Sequence, residues 1–408
     1  MLIPALMIAL LGVSPVAAGP LSFELVETAK VIDAGRPGQP TFLADPGVFA
    51  DESGYHLFVT NHFCDRAGDG VFNDNDYQFD AEGMFAACLD PDGPRHNHGA
   101  AILYANSGDG GRTWAIRPEP VLAPEPGAYD SDKTETAFPI VIGDALYLFY
   151  SATGQNADIG FVPARYAIGG ARLDLAGRTI GQALLRDREV FEKLGDAPVL
   201  DFITDQRAYG NNVQEPSVVL REDGGIELFF TALRLTNPRD IGDGLDGIAL
   251  MRATFADESL ADPQIEMSNA LDLSDLPWSL DMSATRLPLN IQEIYYRNGG
   301  YHAFYTSLGD DDFHQNQDIR YAYSEDGLTW EDEKTLITRD RTFSQWGVMA
   351  PSAVFADGYV DIFYTAFGEV ADHPCIARGD DARMGTGIKQ GRACLYAMVG
   401  RSRFAIRE

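Results

Sequence analysis

Residues 43 to 60 read LADPGVFADESGYHLFVT, and the fold follows from how this stretch recurs. A β-branched apolar run follows Asp-Pro, a short polar turn interrupts it, and an alternating aromatic run ends in Thr. That is the pattern of two antiparallel strands joined by a tight turn. The phrase returns as TAFPIVIGDALYLFYSA (136 to 152), VQEPSVVLREDGGIELFFTA (213 to 232), NIQEIYYRNGGYHAFYTS (290 to 307) and MAPSAVFADGYVDIFYTA (349 to 366). Phe58, Phe149, Phe229, Phe304 and Phe363 align, so five copies recur about every 76 residues, longer than the ~40–50 of a plain propeller blade. The excess belongs to insertions.

Each copy continues into a third strand and usually a fourth, as in AAILYAN (100 to 106) and TWAIRPEPVL (113 to 122). The third strands of the second, third and fifth copies are RYAIGGARLDL (165 to 175), IALMRATF (248 to 255) and RACLYAMVG (392 to 400). The expectation is an all-β, five-bladed β-propeller with four antiparallel strands per blade and almost no helix, a single domain over residues 19–408. The alternating segment from Phe23 to Ile32 precedes the first copy and is expected to pair with the last, closing the ring and removing open sheet edges. Ser107 to Trp114 and Ser324 to Trp330 match the Asp-box hairpin of sialidases and other propellers, a structural turn in which Asp folds back on backbone N–H groups.

Residues 1–18 are apolar, uncharged and end in Val16-Ala17-Ala18, as a cleaved signal peptide does, so the protein is expected to be secreted or periplasmic and, once cleaved, soluble. The net charge of −30 argues against nucleic acid and anionic membrane as partners. It fits either a surface kept soluble in salty surroundings or a set of bound cations. Cys64, Cys88, Cys375 and Cys394 allow three disulfide pairings. Pairing Cys64 with Cys88 and Cys375 with Cys394 closes loops within single repeats and is the preferred arrangement.

Turns between first and second strands are tight, whereas links between second and third strands are long, about 61 to 99 in the first copy and 367 to 391 in the fifth. Up-and-down strands gather those links at one mouth of the channel, where binding and catalytic sites are usually built. At the head of the first strands, the residue before the Pro or in its place is Asp45, Phe138, Glu215, Asn290 or Ile291, and Ala350. Asp45 and Glu215 thus converge on the mouth, as a carboxylate pair for glycoside hydrolysis or as strand-start caps.

Asp65, Asp69, Asn73 and Asp76, with the Val71 carbonyl and Gly70 at the turn, have the spacing of a calcium loop, with a merely solvated acidic loop as the alternative. No organic cofactor is expected. Arg207, Tyr209, Trp346 and His314 are candidate sugar contacts, the aromatics through stacking and the others through hydroxyls, with rim packing as the alternative for the rings. His96 and His98 suit a transition metal or sugar hydroxyls, while His56 and His302, inside strands, suit packing.

The phrases D-P-x-V-F, E-P-S-V-V and A-P-S-A-V, with their G-x-Y-x-x-F-Y-T endings, resemble the five-bladed glycoside hydrolase superfamily that includes families 43, 32, 68 and 130, closest in pattern to family 43. The resemblance covers essentially the whole chain after residue 18. It implies that Asp45 is a general base, that Glu215 in Glu-Pro is the general acid, and that a third carboxylate tunes the acid from an intervening Asp-Pro strand. This sequence has Phe138-Pro139 there instead, with Glu135, Asp205 and Glu293 as candidate substitutes for the third carboxylate that the resemblance implies. The implied function is hydrolysis of a poly- or oligosaccharide; the alternative is a non-catalytic carbohydrate-binding propeller, since fold alone confers no activity.

Overall fold

The five phrases fold as five antiparallel strand pairs, each with a bulge at the same place. The structure is a computed structural model and describes residues 19–32, 43–64, 98–131, 133–154, 166–201, 212–221, 223–235, 245–267, 290–306, 317–340, 342–345, 347–356, 358–369 and 395–407. The segment read as a signal peptide lies outside them.

The strands fall into successive sets of four. The first set is β2 (Leu43–Asp51), β3 (Gly54–Cys64), β4 (His98–Ser107) and β5 (Ala115–Leu122). The second is β6 (Lys133–Ile142), β7 (Ala145–Thr153), β8 (Ala167–Asp174) and β9 (Glu192–Lys193). The third is β10 (Asn212–Leu220), β11 (Ile226–Leu235), β12 (Leu245–Phe255) and β13 (Gln264–Met267), and the fourth β14 (Asn290–Arg297), β15 (Gly300–Thr306), β16 (Ile319–Ser324) and β17 (Glu331–Ile337). The last joins β18 (Gly347–Ala356), β19 (Tyr359–Glu369) and β20 (Leu395–Arg407) to β1 (Ser22–Ile32), which pairs antiparallel with β20 from Ser22 opposite Arg407 to Ile32 opposite Val399. The first two sets are bridged into one sheet by a single parallel pair, Ala100 with Lys133. Among the described residues the helical content is one short turn, Gln182–Arg186.

First strands pack side by side in a cycle: β2 on β6, β6 on β10, β10 on β14, β14 on β18, and β18 on β2. The aligned Phe58, Phe149, Phe229, Phe304 and Phe363 are fully buried between sheets, so the repeat's aromatic position is its core position. Both Asp boxes form. Asp109 Oδ1 accepts from the N–H groups of Arg112 and Thr113, each at 2.9 Å, and Trp114 packs edge-on to Phe363 of the last sheet, ring centroids 5.9 Å apart. His56 and His302 are buried and bonded to Tyr104 and Tyr321, as packing residues would be.

The register explains the rest of the phrase. Each ladder slips between Ala44 and Gly47, Glu135 and Phe138, Gln214 and Ser217, Asn290 and Glu293, and Met349 and Ser352. The first bulged residue has positive φ at Asp45 (49°), Thr136 (52°), Glu215 (59°) and Ala350 (52°). A non-glycine residue holds that conformation only where its surroundings fix it. The fixing group is a hydroxyl near the end of the second strand of the preceding phrase. Thr365 Oγ1 accepts from Asp45 N at 2.8 Å, Thr60 from Thr136 N at 2.9 Å, Ser151 from Glu215 N at 2.7 Å, and Thr306 from Ala350 N at 2.9 Å.

One expectation is corrected by this register. The residue equivalent to Asp45 in the second copy is Thr136, not Phe138, and in the fourth it is Ile291 rather than Asn290. Pro misled the alignment, because Pro46, Pro216 and Pro351 directly follow the bulge head whereas Pro139 comes three residues after it. Phe138 instead shares its place with Gly47, Ser217, Glu293 and Ser352.

At that second place a side chain clasps the next first strand. Ser217 Oγ accepts from Ile294 N at 2.7 Å, Glu293 Oε2 from Ala353 N at 3.3 Å, and Ser352 Oγ from Val48 N at 2.8 Å. Each bond satisfies a backbone donor of the next first strand, and Ala353 N donates in addition to the Tyr295 hydroxyl at 2.8 Å.

Candidate active site

Three consecutive first strands each carry one carboxylate at or beside the bulge. Asp45 heads the bulge of β2, Glu215 heads that of β10, and Glu135 immediately precedes the bulge of β6. A bulge re-aims the side chain of the residue it displaces, which is why such positions recur beside active sites. Glu135 and Glu215 are buried, each 7% exposed.

The three are held differently. Glu215 accepts hydrogen bonds from Gln214 Nε2 at 2.9 Å and Thr231 Oγ1 at 2.7 Å. Glu135 accepts from the Tyr166 hydroxyl and lies 3.9 Å from Lys133 Nζ. Asp45 accepts only from Thr136 Oγ1, at 3.3 Å on Oδ2, and its Oδ1 is enclosed without a partner among the described residues. Asp45 as a residue keeps some solvent contact, but its ionisation follows the enclosed carboxylate. Burial first, then the charges of Glu135 and Glu215, push Asp45 up to about 8, against smaller lowering effects from Thr136 and Lys133. Asp45, the most poorly hydrogen-bonded of the three, is therefore drawn towards its protonated form, chiefly by burial.

Glu293, the other candidate third carboxylate, has a different place. It is buried in its clasp with the Tyr295 hydroxyl and Ala353 N, and burial pushes it up to about 8. It is not among the charges that act on Asp45, so Glu135 is the third member of the cluster.

The remaining sequence candidates lie outside the described residues: Arg207, Tyr209, Trp346, His314, His96 and Asp205, the loop residues Asp65, Asp69, Val71, Asn73 and Asp76, and Cys88, Cys375 and Cys394. Cys64 ends β3 and His98 begins β4, but their side chains are likewise outside them. Among the described residues no group of three His, Cys, Asp or Glu is placed to hold a metal ion. Sequence reading missed Lys133, Thr136 and Tyr166, which set the charge and hydrogen bonding of the cluster. Lys133 and Thr136 flank Glu135 and follow once the bulge register is known; Tyr166, preceding β8, leaves no signal in the phrase.

Asp45 thus feels the negative charge of Glu135 and Glu215, and a carboxyl held towards its protonated form beside other carboxylates is the equipment of acid–base hydrolysis.

Residues 287–387, about a quarter of the chain, match the family described as "Glycosyl hydrolases family 32 N-terminal domain". Comparison with proteins of curated function gave no match. Among solved structures, a thermostable family-43 glycoside hydrolase aligns at 12% identity with a TM-score of 0.55, covering 90% of this chain and 93% of that one. A family 117 glycoside hydrolase from the marine bacterium Zobellia galactanivorans aligns at 13% identity with a TM-score of 0.53, covering 95% and 90%. A complex of BT0996 with RGII aligns at 15% identity with a TM-score of 0.57, covering 89% and 87%. The chain has the β-propeller fold of the two glycoside hydrolases, as the resemblance in its strand phrases implied.

Proposed function

We propose that the protein is a glycosidase built on a five-bladed propeller, cleaving a poly- or oligosaccharide with Asp45, Glu215 and Glu135 at the channel mouth. The observation that carries this reading is the convergence of three carboxylates from consecutive first strands, with Asp45 pushed up to about 8. Five blades are supported by the cyclic packing of five first strands and the pairing of β1 with β20. Export rests on the composition of residues 1–18, and the two within-repeat disulfides and the calcium loop rest on residue spacing.

In the resting site Asp45 is drawn towards its protonated form by burial first and then by the charges of Glu135 and Glu215, and its Oδ1 has no donor among the described residues. A water entering between Asp45 and the anomeric carbon supplies that donor, which favours the ionised Asp45 and leaves Glu215 to carry the proton. Charge repulsion is mutual, so ionised Asp45 opposes ionisation of Glu215. The water oxygen then bonds to the anomeric carbon while its proton passes to Asp45. The bond to the leaving oxygen breaks as Glu215 donates its proton to that oxygen, giving two free sugar hydroxyl ends. Glu135, oriented by Tyr166 and Lys133, sets the charge that both partners feel. We infer inversion at the anomeric carbon, from the likeness of the phrase pattern to family 43.

The test is hydrolysis of aryl furanosides, aryl pyranosides and natural oligosaccharides by wild type, Asp45→Asn and Glu215→Gln. Glu215→Gln is expected to spare substrates with good leaving groups, which need little protonation, while Asp45→Asn impairs all. Near wild-type rates in both variants would overturn the assignment, and glycan binding without any hydrolysis would make this a binding propeller.

A further inference from the structure

At the opposite end of the strands from Asp45, where the turns are tight, the third and fourth sheets border an open cavity of about 500 Å³. Its lining comes from the β10–β11 turn (Arg221, Asp223), the end of β14 (Tyr296), Glu227 of β11, Tyr301 of β15 and Glu325 of the second Asp box. Six residues of extended strand separate Glu215 from Arg221, roughly 20 Å, so this cavity is distinct from the mouth.

The floor is rigid. Glu227, 4% exposed, accepts from the Tyr301 hydroxyl at 2.8 Å and pairs with Arg252 at 3.5 Å. Arg252 in turn donates to the Asp326 carbonyl and to Glu266, both at 2.8 Å, so a ligand would meet groups already fixed. The rim is open and chemically mixed. Tyr296 is 43% exposed, its ring 5.0 Å from that of Tyr301, and the Arg221 guanidinium faces the Asp223 carboxylate at 2.6 Å.

We propose that this cavity binds a neutral sugar unit, making it a second carbohydrate site that can anchor a polysaccharide while the mouth works elsewhere. Its volume lies within the ~300–1,000 Å³ of small-molecule sites. An exposed tyrosine ring offers the apolar face on which a pyranose packs. A paired guanidinium and carboxylate present donors and acceptors side by side, matching vicinal hydroxyls that both donate and accept. The carboxylates of Asp223, Glu227 and Glu325 disfavour anionic ligands such as phosphates or uronates, and a metal site is not formed by the described acidic groups.

The test is native affinity electrophoresis through gels containing arabinan, xylan, β-glucan or galactan. Wild type and the Asp45→Asn, Glu215→Gln double variant should both be retarded by at least one of these. Tyr296→Ala should weaken that retardation roughly tenfold, Tyr296→Phe should keep it, and Tyr296→Ala should retain wild-type rates on small aryl glycosides. Equal retardation of Tyr296→Ala and Arg221→Ala with wild type, or no retardation of wild type in any gel, overturns the proposal. Tyr296-dependent retardation in a protein that hydrolyses nothing would uphold this site while removing the glycosidase reading of the mouth.

Discussion

Gly47 and Pro139 are complementary exceptions to one rule. In three of the first strands a Ser or Glu side chain accepts the N–H of the next strand, but Gly47 has no side chain and the residue it would serve, Pro139, has no N–H. A Cβ at position 47 would lie 1.9 Å from the Ala137 carbonyl oxygen and 2.9 Å from Pro139 Cδ, so the strands approach too closely for a clasp.

Gly47→Ala must therefore push β2 from β6 and should destabilise by ~3 kcal/mol or more, since backbone rather than a flexible tip blocks the methyl. Gly47→Ser should be as harmful, although Ser fills the same place in two other strands. Urea unfolding measures both, and a stable Gly47→Ser would show that the strands can separate.

Thr365→Val removes the hydroxyl that holds Asp45 N–H while keeping the side-chain shape. A stability loss of about 1–2 kcal/mol is expected, with kcat falling ~10-fold as Asp45 loses its orientation. Thr306→Val, which serves Ala350, should lose similar stability and leave kcat unchanged, a contrast readable from melting curves and initial rates.

Asp45 and Glu293 are both pushed from their ordinary values, 3.8 and 4.5, up to about 8. A raised carboxyl favours folding most below its unfolded pKa, and the advantage disappears as pH rises through the folded value. Stability should therefore decline between about pH 4 and pH 8. Glu293→Gln keeps an acceptor for Ala353 without the charge, so it should flatten the decline and gain ~1–2 kcal/mol at pH 8. Chemical unfolding across that range checks it; an unchanged slope would mean Glu293 ionises freely.

Glu135→Gln removes one of the charges that raise Asp45. If ionised Asp45 is the base, the acid limb of the kcat/KM profile should move to lower pH by about one unit, with Tyr166 still able to bond residue 135. A shift in the opposite direction would remove Glu135 from its tuning role.

The strand phrases were legible because their aromatic period is a burial period, and Phe58 and its four equivalents are the core in fact. The bulge was not, because a two-for-one register leaves no composition signal, and Pro139 drew the second copy out of line. The consequence is specific: Pro46 and Pro216 mark Asp45 and Glu215 in the sequence, whereas Glu135 has no such neighbour and stands beside Asp205 and Glu293 as one candidate among three. The terminal Ser or Thr of each phrase was visible from the start, but its meaning is a bond to the next copy, which spacing within one copy cannot reveal.

The pairing of β1 with β20 joins residues 22–32 to 399–407, contacts almost as remote along the chain as its length allows. Loop closure of that span precedes any reward from the hydrogen bonds it makes, so sealing the last sheet is slow and comes late. Without β20, β1 has no partner and the edges of β1 and β19 are both bare, so the last sheet is complete only when the two ends of this long span have met.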